Sequence, residues 1–275
     1  MQGSFSKVEP FLKWAGGKRW LVNCHRDIFP SEFRRYIEPF LGSGATYFGL
    51  QPRKAILGDI NSELVEVYET IKYHWEEVIR MLKRHQNRHS KEYYYHLRSS
   101  RPRSAWGRAA RFIYLNRTCW NGLYRVNKNG QFNVPIGTRS SVLLNSDDFE
   151  STAKLLKNAK LIGGDFKNVI DKAKSGDFIF VDPPYTVQHN YNNFVKYNEK
   201  LFVWPDQIRL KDSLVSAHSR GAKILLTNAN HPAIEELYSG DKCFDMIPLS
   251  RNSAIASKST HRGETSELII RNYSE

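Results

Sequence analysis

The sequence has little that would tie it to a membrane, a metal or an oxidising compartment. Its three cysteines, Cys24, Cys119 and Cys243, are odd in number and scattered, with no Cys-x-x-Cys. They read as reduced thiols rather than as a disulfide framework or zinc site. No apolar run approaches the ~20 residues of a membrane span, and the first ten residues lack the apolar stretch of a signal peptide. A cytoplasmic protein with no membrane partner is expected. The nine histidines form no metal-site pattern: His85 and His89 lie four apart on a predicted helix without a third ligand nearby, and read as a solvated face. No metal is expected. Internal repeats and low-complexity tracts are also missing. With 40% hydrophobic and 13% aromatic residues the chain can bury a sizeable core, and its 275 residues suit one large α/β domain, alone or with an inserted subdomain.

Negative charge is scarce too, but in one place. Residues 78–139 hold 14 Lys/Arg and a single acidic residue, Glu92, while the rest of the chain holds 27 basic and 27 acidic residues. The net charge of +13 therefore lies in one segment. A solvated helix face mixes its signs. A segment this one-sided needs a polyanion, and nucleic acid is the obvious one, with solubility as the weaker alternative.

Short β-type runs recur at Arg35–Phe40, Lys54–Gly58, Lys160–Gly163, Phe178–Val181, Lys223–Thr227, Phe244–Leu249 and Glu267–Arg271. Helical patterns at Asn61–Lys72, Asp206–Ser219 and His231–Leu237 fall between several of them. The alternation predicts a mostly parallel, doubly wound α/β sheet. Between about 63 and 153 the strand pattern stops. Glu63–Arg84 reads as one long helix or two, Ser104–Asn116 as another, and Asn127-Lys128-Asn129-Gly130 as a hairpin turn between β-prone flanks. The basic segment is thus expected as a helical insert ending in a hairpin at about 118–139, interrupting a catalytic domain formed by residues 1–62 and 154–275.

The most informative tetrapeptide is Asp182-Pro183-Pro184-Tyr185, directly after the apolar run Phe178–Val181. It should stand at the carboxyl end of a buried parallel strand, where open α/β sheets place their ligands. Asp182 and the Pro183 carbonyl are two acceptors suited to the two protons of an –NH₂ group. Pro183 and Pro184 hold the backbone extended, and Tyr185 offers a flat face to a base. Taken alone, the four residues also suit a strand-ending turn.

Glu38-Pro39-Phe40-Leu41-Gly42-Ser43-Gly44-Ala45 follows another strand, and its Gly-x-Gly lets the backbone turn against a ligand at a helix start. A dinucleotide site wants a third Gly or Ala, and Tyr47 stands there instead. Asp59 and Ile60 end the second strand, with the carboxylate placed for ribose hydroxyls. Asp165-Phe166 supplies a carboxylate and a ring for an adenine. Near the N-terminus, Lys13, Trp14, Ala15, Gly16, Gly17 and Lys18 put an aromatic ring and cations beside a Gly-Gly turn, with core packing the weaker alternative for Trp14 taken alone. An adenosine bearing a carboxylate tail would use all these patches, which describes S-adenosyl-L-methionine better than NAD.

These residues resemble the Dam-type family of DNA adenine-N6 methyltransferases, in the class whose cofactor motif precedes its recognition domain and then its catalytic motif. The likeness spans nearly the whole chain. Phe11–Lys18, Glu38–Gly44, Asp59 and Asp165-Phe166 resemble the cofactor motifs, and Asp182–Tyr185 the catalytic one. Arg251-x-Ser253 and Glu267–Ile270 resemble the closing strand pair. Asn116-Arg117-x-x-Trp120-Asn121-Gly122-Leu123-x-Arg125-x-Asn127 and Gly130-x-Phe132-Asn133-Val134-Pro135 resemble the recognition hairpin. Two departures stand out: Trp120 replaces the family's usual Tyr, and Thr118-Cys119 differs from the pattern.

The resemblance implies a Rossmann-like methyltransferase fold and an enzyme that methylates adenine N6 in double-stranded DNA, within GATC or a longer site sharing GA. S-adenosyl-L-methionine would be the donor, S-adenosyl-L-homocysteine the product, and no metal would take part. The target base would be flipped out and attacked directly in line. Asp rather than Ser at position 182 favours adenine over cytosine-N4. Arg125 would read guanine, Leu123 and Pro135 would touch neighbouring bases, Trp120 would fill the stack, and Lys13 a flanking base. Asn121, Asn127 and Asn133 belong to the same recognition set. Arg98, Arg108, Arg111, Arg117, Lys128 and Arg139 are phosphate candidates. The enzyme is expected as a monomer that reaches the nucleoid through DNA. A DNA-binding protein on a decayed methyltransferase fold, an RNA adenine methyltransferase and an NAD-dependent oxidoreductase are the alternatives; Tyr47 and the basic insert speak against the last.

Overall fold

Strands rich in β-branched and aromatic residues carry this fold, and several are buried on both faces. The computed structural model describes residues 8–127, 129–186, 202–252 and 264–274. Its seven strands are β1 (Tyr36–Glu38), β2 (Ala55–Asp59), β3 (Ala159–Gly163), β4 (Phe178–Val181), β5 (Lys223–Ala229), β6 (Asp245–Asn252) and β7 (Glu264–Arg271). All seven predicted runs are therefore strands, shifted by a few residues at their ends. The expected α/β class, with parallel strands wound by helices, is the fold observed.

The chain divides into two compact units, residues 1–26 with 41–164, and residues 27–40 with 165–275. In the first, β2 and β3 pair in parallel, Ala55 opposite Ala159 through Asp59 opposite Gly163. A long helix, Ser62–Arg88, follows β2. Asn61 starts it by accepting the Leu64 N–H at 3.2 Å. The sequence left open one helix or two; the span is two helical segments run together across a kink at His74 (φ −140°, ψ 34°). Ser90 and Ser104 cap the next helices, Lys91–Ser99 and Ala105–Thr118, through the N–H groups of Tyr93 and Gly107. The expected hairpin is less regular than predicted, with isolated bridges between Cys119 and Ile136 and between Val126 and Phe132. Its turn is closed by Gly130 N–H to Asn127 O and Asn127 N–H to Gln131 O, with Gly130 left-handed at φ 72°. The bonded pair Asn127 and Gln131 encloses three residues, not the two that an Asn-Gly turn suggests.

In the second unit the strand order is β1-β4-β5-β7-β6. The β1–β4 and β4–β5 pairs are parallel, and β7 runs antiparallel to both β5 and β6. All four residues of β4 are buried, as a strand covered on both faces requires. The entry to β4 is pinned by Asp177, fully buried, which accepts from Arg34 Nε at 3.1 Å, an Arg35 guanidinium N–H at 2.7 Å and Lys174 N–H at 3.0 Å. Helix Trp204–Ser219 leads into β5, and helix Pro232–Ser239 follows it. Ser253 and Lys128 lie outside the described residues.

Arg117 corrects the sequence reading. It was expected on a phosphate, but its side chain is only 2% exposed and is fully committed. The guanidinium makes two bonds to Asp147, at 2.6 and 2.5 Å, and others to the carbonyls of Phe11 and Val142. It ties the N-terminal segment, helix Ala105–Thr118 and the 142–147 loop together. Removing one partner of such a buried pair leaves an uncompensated charge, at a cost of about 3–5 kcal/mol. Arg117→Ala should therefore lower the free energy of unfolding, measured by urea denaturation, by that amount. Arg117→Lys should recover little, since ammonium cannot span both carboxylate oxygens. A loss under about 1 kcal/mol would return Arg117 to the surface role.

Candidate active site

Within the first unit the glycine-rich loop is built around one buried carboxylate. Asp59, 9% exposed at the end of β2, accepts Gly42 N–H at 3.0 Å and Asn61 N–H at 2.9 Å, one on each oxygen. Burial pushes its carboxyl upward, and the N–H groups of Asn61, Gly42 and Ile60 pull it back. The carboxylate expected on a ribose thus also holds the loop, with lone pairs left on each oxygen for further donors. Gly42 is left-handed (φ 49°), and a Cβ there would stand 2.7 Å from Trp14 Cδ1. Only glycine lets the loop and Trp14 pack this closely. Tyr68 donates to Gly42 O at 2.9 Å. Ser43 is buried beside it, Gly44 (φ 65°) turns the chain into helix Ala45–Leu50, and Ile60 is 68% exposed next to Asp59. Lys18 is buried and donates to Gly16 O at 3.0 Å, while Ala15 and Gly16 are exposed.

Trp14 also stacks on Tyr124, with centroids 5.6 Å apart and planes at 22°, and Tyr124 stacks in turn on Phe112 at 4.9 Å. Next to it, the Asn116 amide donates to Lys13 O at 2.8 Å and accepts Lys13 N–H at 2.9 Å. The Lys13 stem lies where a Cβ on Gly122 would come within 2.5 Å. Burial lowers the Lys13 ammonium below its usual value, and Arg139 and Arg117 add to the shift. The N-terminal cofactor-like segment and the recognition-like loop are thus one packed body. The sequence motifs include Asn116 but gave it no role, and Tyr124 was missed; its only signal was an aromatic ring inside the recognition-like motif.

The recognition candidates separate into displayed and structural side chains. Trp120 is 53% exposed and Leu123 37%, and Asn121, Arg125, Pro135 and Arg139 are also exposed. Trp120 N–H is held by Pro135 O at 2.9 Å, and Asn121 is left-handed (φ 56°). Arg125 Nε donates to Asn133 Oδ1 at 3.0 Å, which orients an exposed guanidinium. Asn127 is corrected to a turn former: its Oδ1 accepts the N–H groups of Asn129 and Gln131, and its Nδ2 donates to Gln131. Three further phosphate candidates are committed elsewhere. Arg98 donates to Val134 O and lies over the Tyr95 ring, Arg108 pairs with Glu66, and Arg111 donates to the carbonyls of Leu97 and Arg98.

Within the second unit, Glu38 and Pro39 are buried at the end of β1, and Phe40 stacks on Phe166 at 5.5 Å. Phe202 completes an aromatic cluster with both. Arg209 lies over the Phe166 ring at 5.1 Å and pairs with Asp165 Oδ2 at 2.9 Å, while Asp165 Oδ1 caps the next helix through Lys167 N–H. Arg209, a residue the sequence motifs did not include, thus lies against both members of the pair assigned to an adenine.

At the carboxyl end of β4, as predicted, the chain leaves the sheet as Asp182-Pro183-Pro184-Tyr185. Asp182 Oδ1 accepts from Thr227 Oγ1 at 2.7 Å, and the Tyr185 hydroxyl donates to Glu267 Oε2 at 3.0 Å. Burial, then the charges of Asp182 and Glu267, push the Tyr185 phenol well above its usual value, so it remains a donor. Thr227 was not singled out by the sequence, and Glu267 only as part of a strand. Among the described residues no cluster suits a metal ion, and no helix is long and apolar enough to cross a membrane.

Several known proteins are similar to this chain. A family described as D12 class N6 adenine-specific DNA methyltransferase matches residues 14–255. A type II methyltransferase of Lactococcus lactis subsp. cremoris, M1.LlaDCHI, is 38% identical over 99% of this chain and 98% of its own. M.MjaIII, a type II methyltransferase of Methanocaldococcus jannaschii, is 35% identical over 97% of this chain and 100% of its own. A DNA adenine methylase of Vibrio cholerae is 32% identical over 96% of this chain and 95% of its own. With the tetrapeptide, the glycine loop and the recognition loop on one chain, and a match across most of its length, the protein belongs to the D12 class of N6 adenine-specific DNA methyltransferases.

Proposed function

We propose that the protein transfers a methyl group from S-adenosyl-L-methionine to N6 of an adenine flipped out of duplex DNA, within GATC or a longer site beginning GA. The observation that carries this reading is the tetrapeptide at the end of β4, with Asp182 held by Thr227 at 2.7 Å and Tyr185 half-buried beside it. The amine is unreachable inside the duplex, so the base must leave the stack. Its ring is assigned to the Tyr185 face, and its two amine protons to Asp182 and the Pro183 carbonyl. Those bonds localise the nitrogen lone pair and stabilise the positive charge that grows on it, with no covalent enzyme intermediate.

When bound, S-adenosyl-L-methionine supplies an electrophilic methyl group on a sulfonium. The residues present suit its parts. The left-handed glycine loop of Gly42, Ser43 and Gly44 and the cationic Lys18 suit the methionine tail. Asp59 and the exposed Ile60 suit the ribose and one face of the adenine, Trp14 borders the loop, and Glu38 keeps the cofactor role that the family resemblance implies. The assignment of the adenine edge to Asp165 and of a ring face to Phe166 requires the Arg209 guanidinium to swing off both. By function the chain then divides into a catalytic part, 1–62 with 154–275, and a recognition part, 63–153, acting as a monomer. Arg125 reads the guanine before the target, Trp120 fills the opened stack, Leu123 and Pro135 touch adjacent bases, Lys13 touches a flanking base, and Arg139 approaches the backbone.

The direct test is transfer of labelled methyl groups to DNA, followed by mapping of N6-methyladenine. Asp182→Ala should abolish transfer while folding and DNA binding persist, because the carboxylate acts on the amine and not on phosphates; turnover within a few-fold of wild type would sink the assignment. Reading and holding should also separate. Arg125→Ala should relax discrimination at the guanine before the adenine by about 1–3 kcal/mol, since only a groove-facing fork distinguishes guanine O6 and N7. Arg139→Ala should weaken all sequences alike. Competition between duplexes altered at that one position measures both, and equal weakening of every duplex by Arg125→Ala would make it a backbone clamp.

A further inference from the structure

Two residues outside the tetrapeptide hold its two reactive side chains, and they come from neighbouring strands. Thr227, on β5, is fully buried and donates to Asp182. Glu267, on β7, is 8% exposed and accepts from Tyr185. The ladder explains their common aim. Thr227 is opposite Ile269 and Ala229 opposite Glu267, so Thr227 and Glu267 are diagonal neighbours on one face of the β5–β7 pair. Both are expensive choices for that position. A buried hydroxyl or carboxylate costs stability unless it is hydrogen-bonded, and Glu267 directly precedes the fully apolar Leu268-Ile269-Ile270. Pro183 and Pro184 have no N–H with which to orient the segment they form, so its alignment must come from elsewhere.

We propose that Thr227 and Glu267 are positioning residues for methyl transfer. Thr227 sets the plane of the Asp182 carboxylate toward the target amine, and Glu267 fixes the Tyr185 ring by its far end. The inference rests on the function proposed above and extends it from the tetrapeptide to the strands behind it. The need is geometric: in-line transfer tolerates little misplacement, and a shift of about 1 Å costs on the order of 100-fold. A tyrosine tethered only at Cβ can tilt; one also tethered at its hydroxyl cannot.

Steady-state methylation by the full-length enzyme, with cofactor and duplex varied separately, tests this. Thr227→Val and Glu267→Ala should each lower kcat about tenfold, the effect of losing one hydrogen bond involving a charged group. KM for DNA and for cofactor should stay within about twofold, because the lost bonds touch neither phosphates nor the glycine loop. Thr227→Ser and Glu267→Gln keep the hydroxyl and the acceptor oxygen, and should restore kcat to within about threefold; a purely structural role would not sort the variants this way. Tyr185→Phe removes the hydroxyl that Glu267 holds, so adding Glu267→Ala should make the enzyme no slower than Tyr185→Phe alone. If Glu267→Ala does not fold, Tyr185→Phe compared with Tyr185→Phe/Glu267→Gln decides the matter, with no further loss expected. Additive losses, effects confined to KM, or failure of the conservative variants to restore kcat in an active enzyme overturn this inference alone. A wild-type protein that transfers no methyl group overturns it together with the reading beneath it.

Discussion

The hydrogen bond from Gly42 N–H to the buried Asp59 carboxylate is the contact on which the first unit is organised. A carboxylate this buried is stable as an anion only where N–H groups surround it, and here the loop and the start of the long helix supply them. Holding Gly42 in a left-handed conformation brings the loop against Trp14, and Trp14 stacks on Tyr124, which stacks on Phe112. One buried charge therefore fixes the glycine loop, the N-terminal segment and the root of the recognition loop in a single packed series. Arg117 and Asp147 do the same from the other side, clamping the segment that carries Lys13 and Trp14.

In the second unit the equivalent element is β5. It lies between parallel β4 and antiparallel β7, and it is the change of direction that brings a β7 side chain, beside one from β5 itself, to the end of β4. A wholly parallel arrangement would place another strand's carboxyl end there, whereas antiparallel β7 presents its early residues, Glu267 among them. The Asp182 and Tyr185 side chains are thereby held from two strands that are remote from them in sequence.

Charge shows how a correct count can mislead about single residues. The excess of Lys/Arg over residues 78–139 pointed to a nucleic-acid surface, and membership of a DNA methyltransferase family agrees with it. Yet Arg108, Arg111 and Arg117 spend their guanidinium groups on carboxylates and carbonyls of their own unit. Arginine's several donors make it as good a clamp for loop carbonyls as for phosphates, and composition cannot tell the two uses apart. Asn127 gives the same lesson for turns, since an asparagine expected among bases closes the loop that displays Arg125.

The sequence by itself determined the α/β class, all seven strands, the position of the tetrapeptide after a buried strand, and the glycine loop. Each follows from local physics: apolar runs of strand length, glycine where φ must be positive, proline where no N–H is needed. The long helix was legible too, but its kink at His74 was not, because nothing in its pattern of residues marks that position. What only the tertiary structure decided are pairings between distant residues: Thr227 with Asp182, Glu267 with Tyr185, Arg209 with Asp165, Arg117 with Asp147 and Trp14 with Tyr124. A hydrogen bond or a ring stack depends on where two side chains meet in space, and strand register and packing set that across separations no local pattern records.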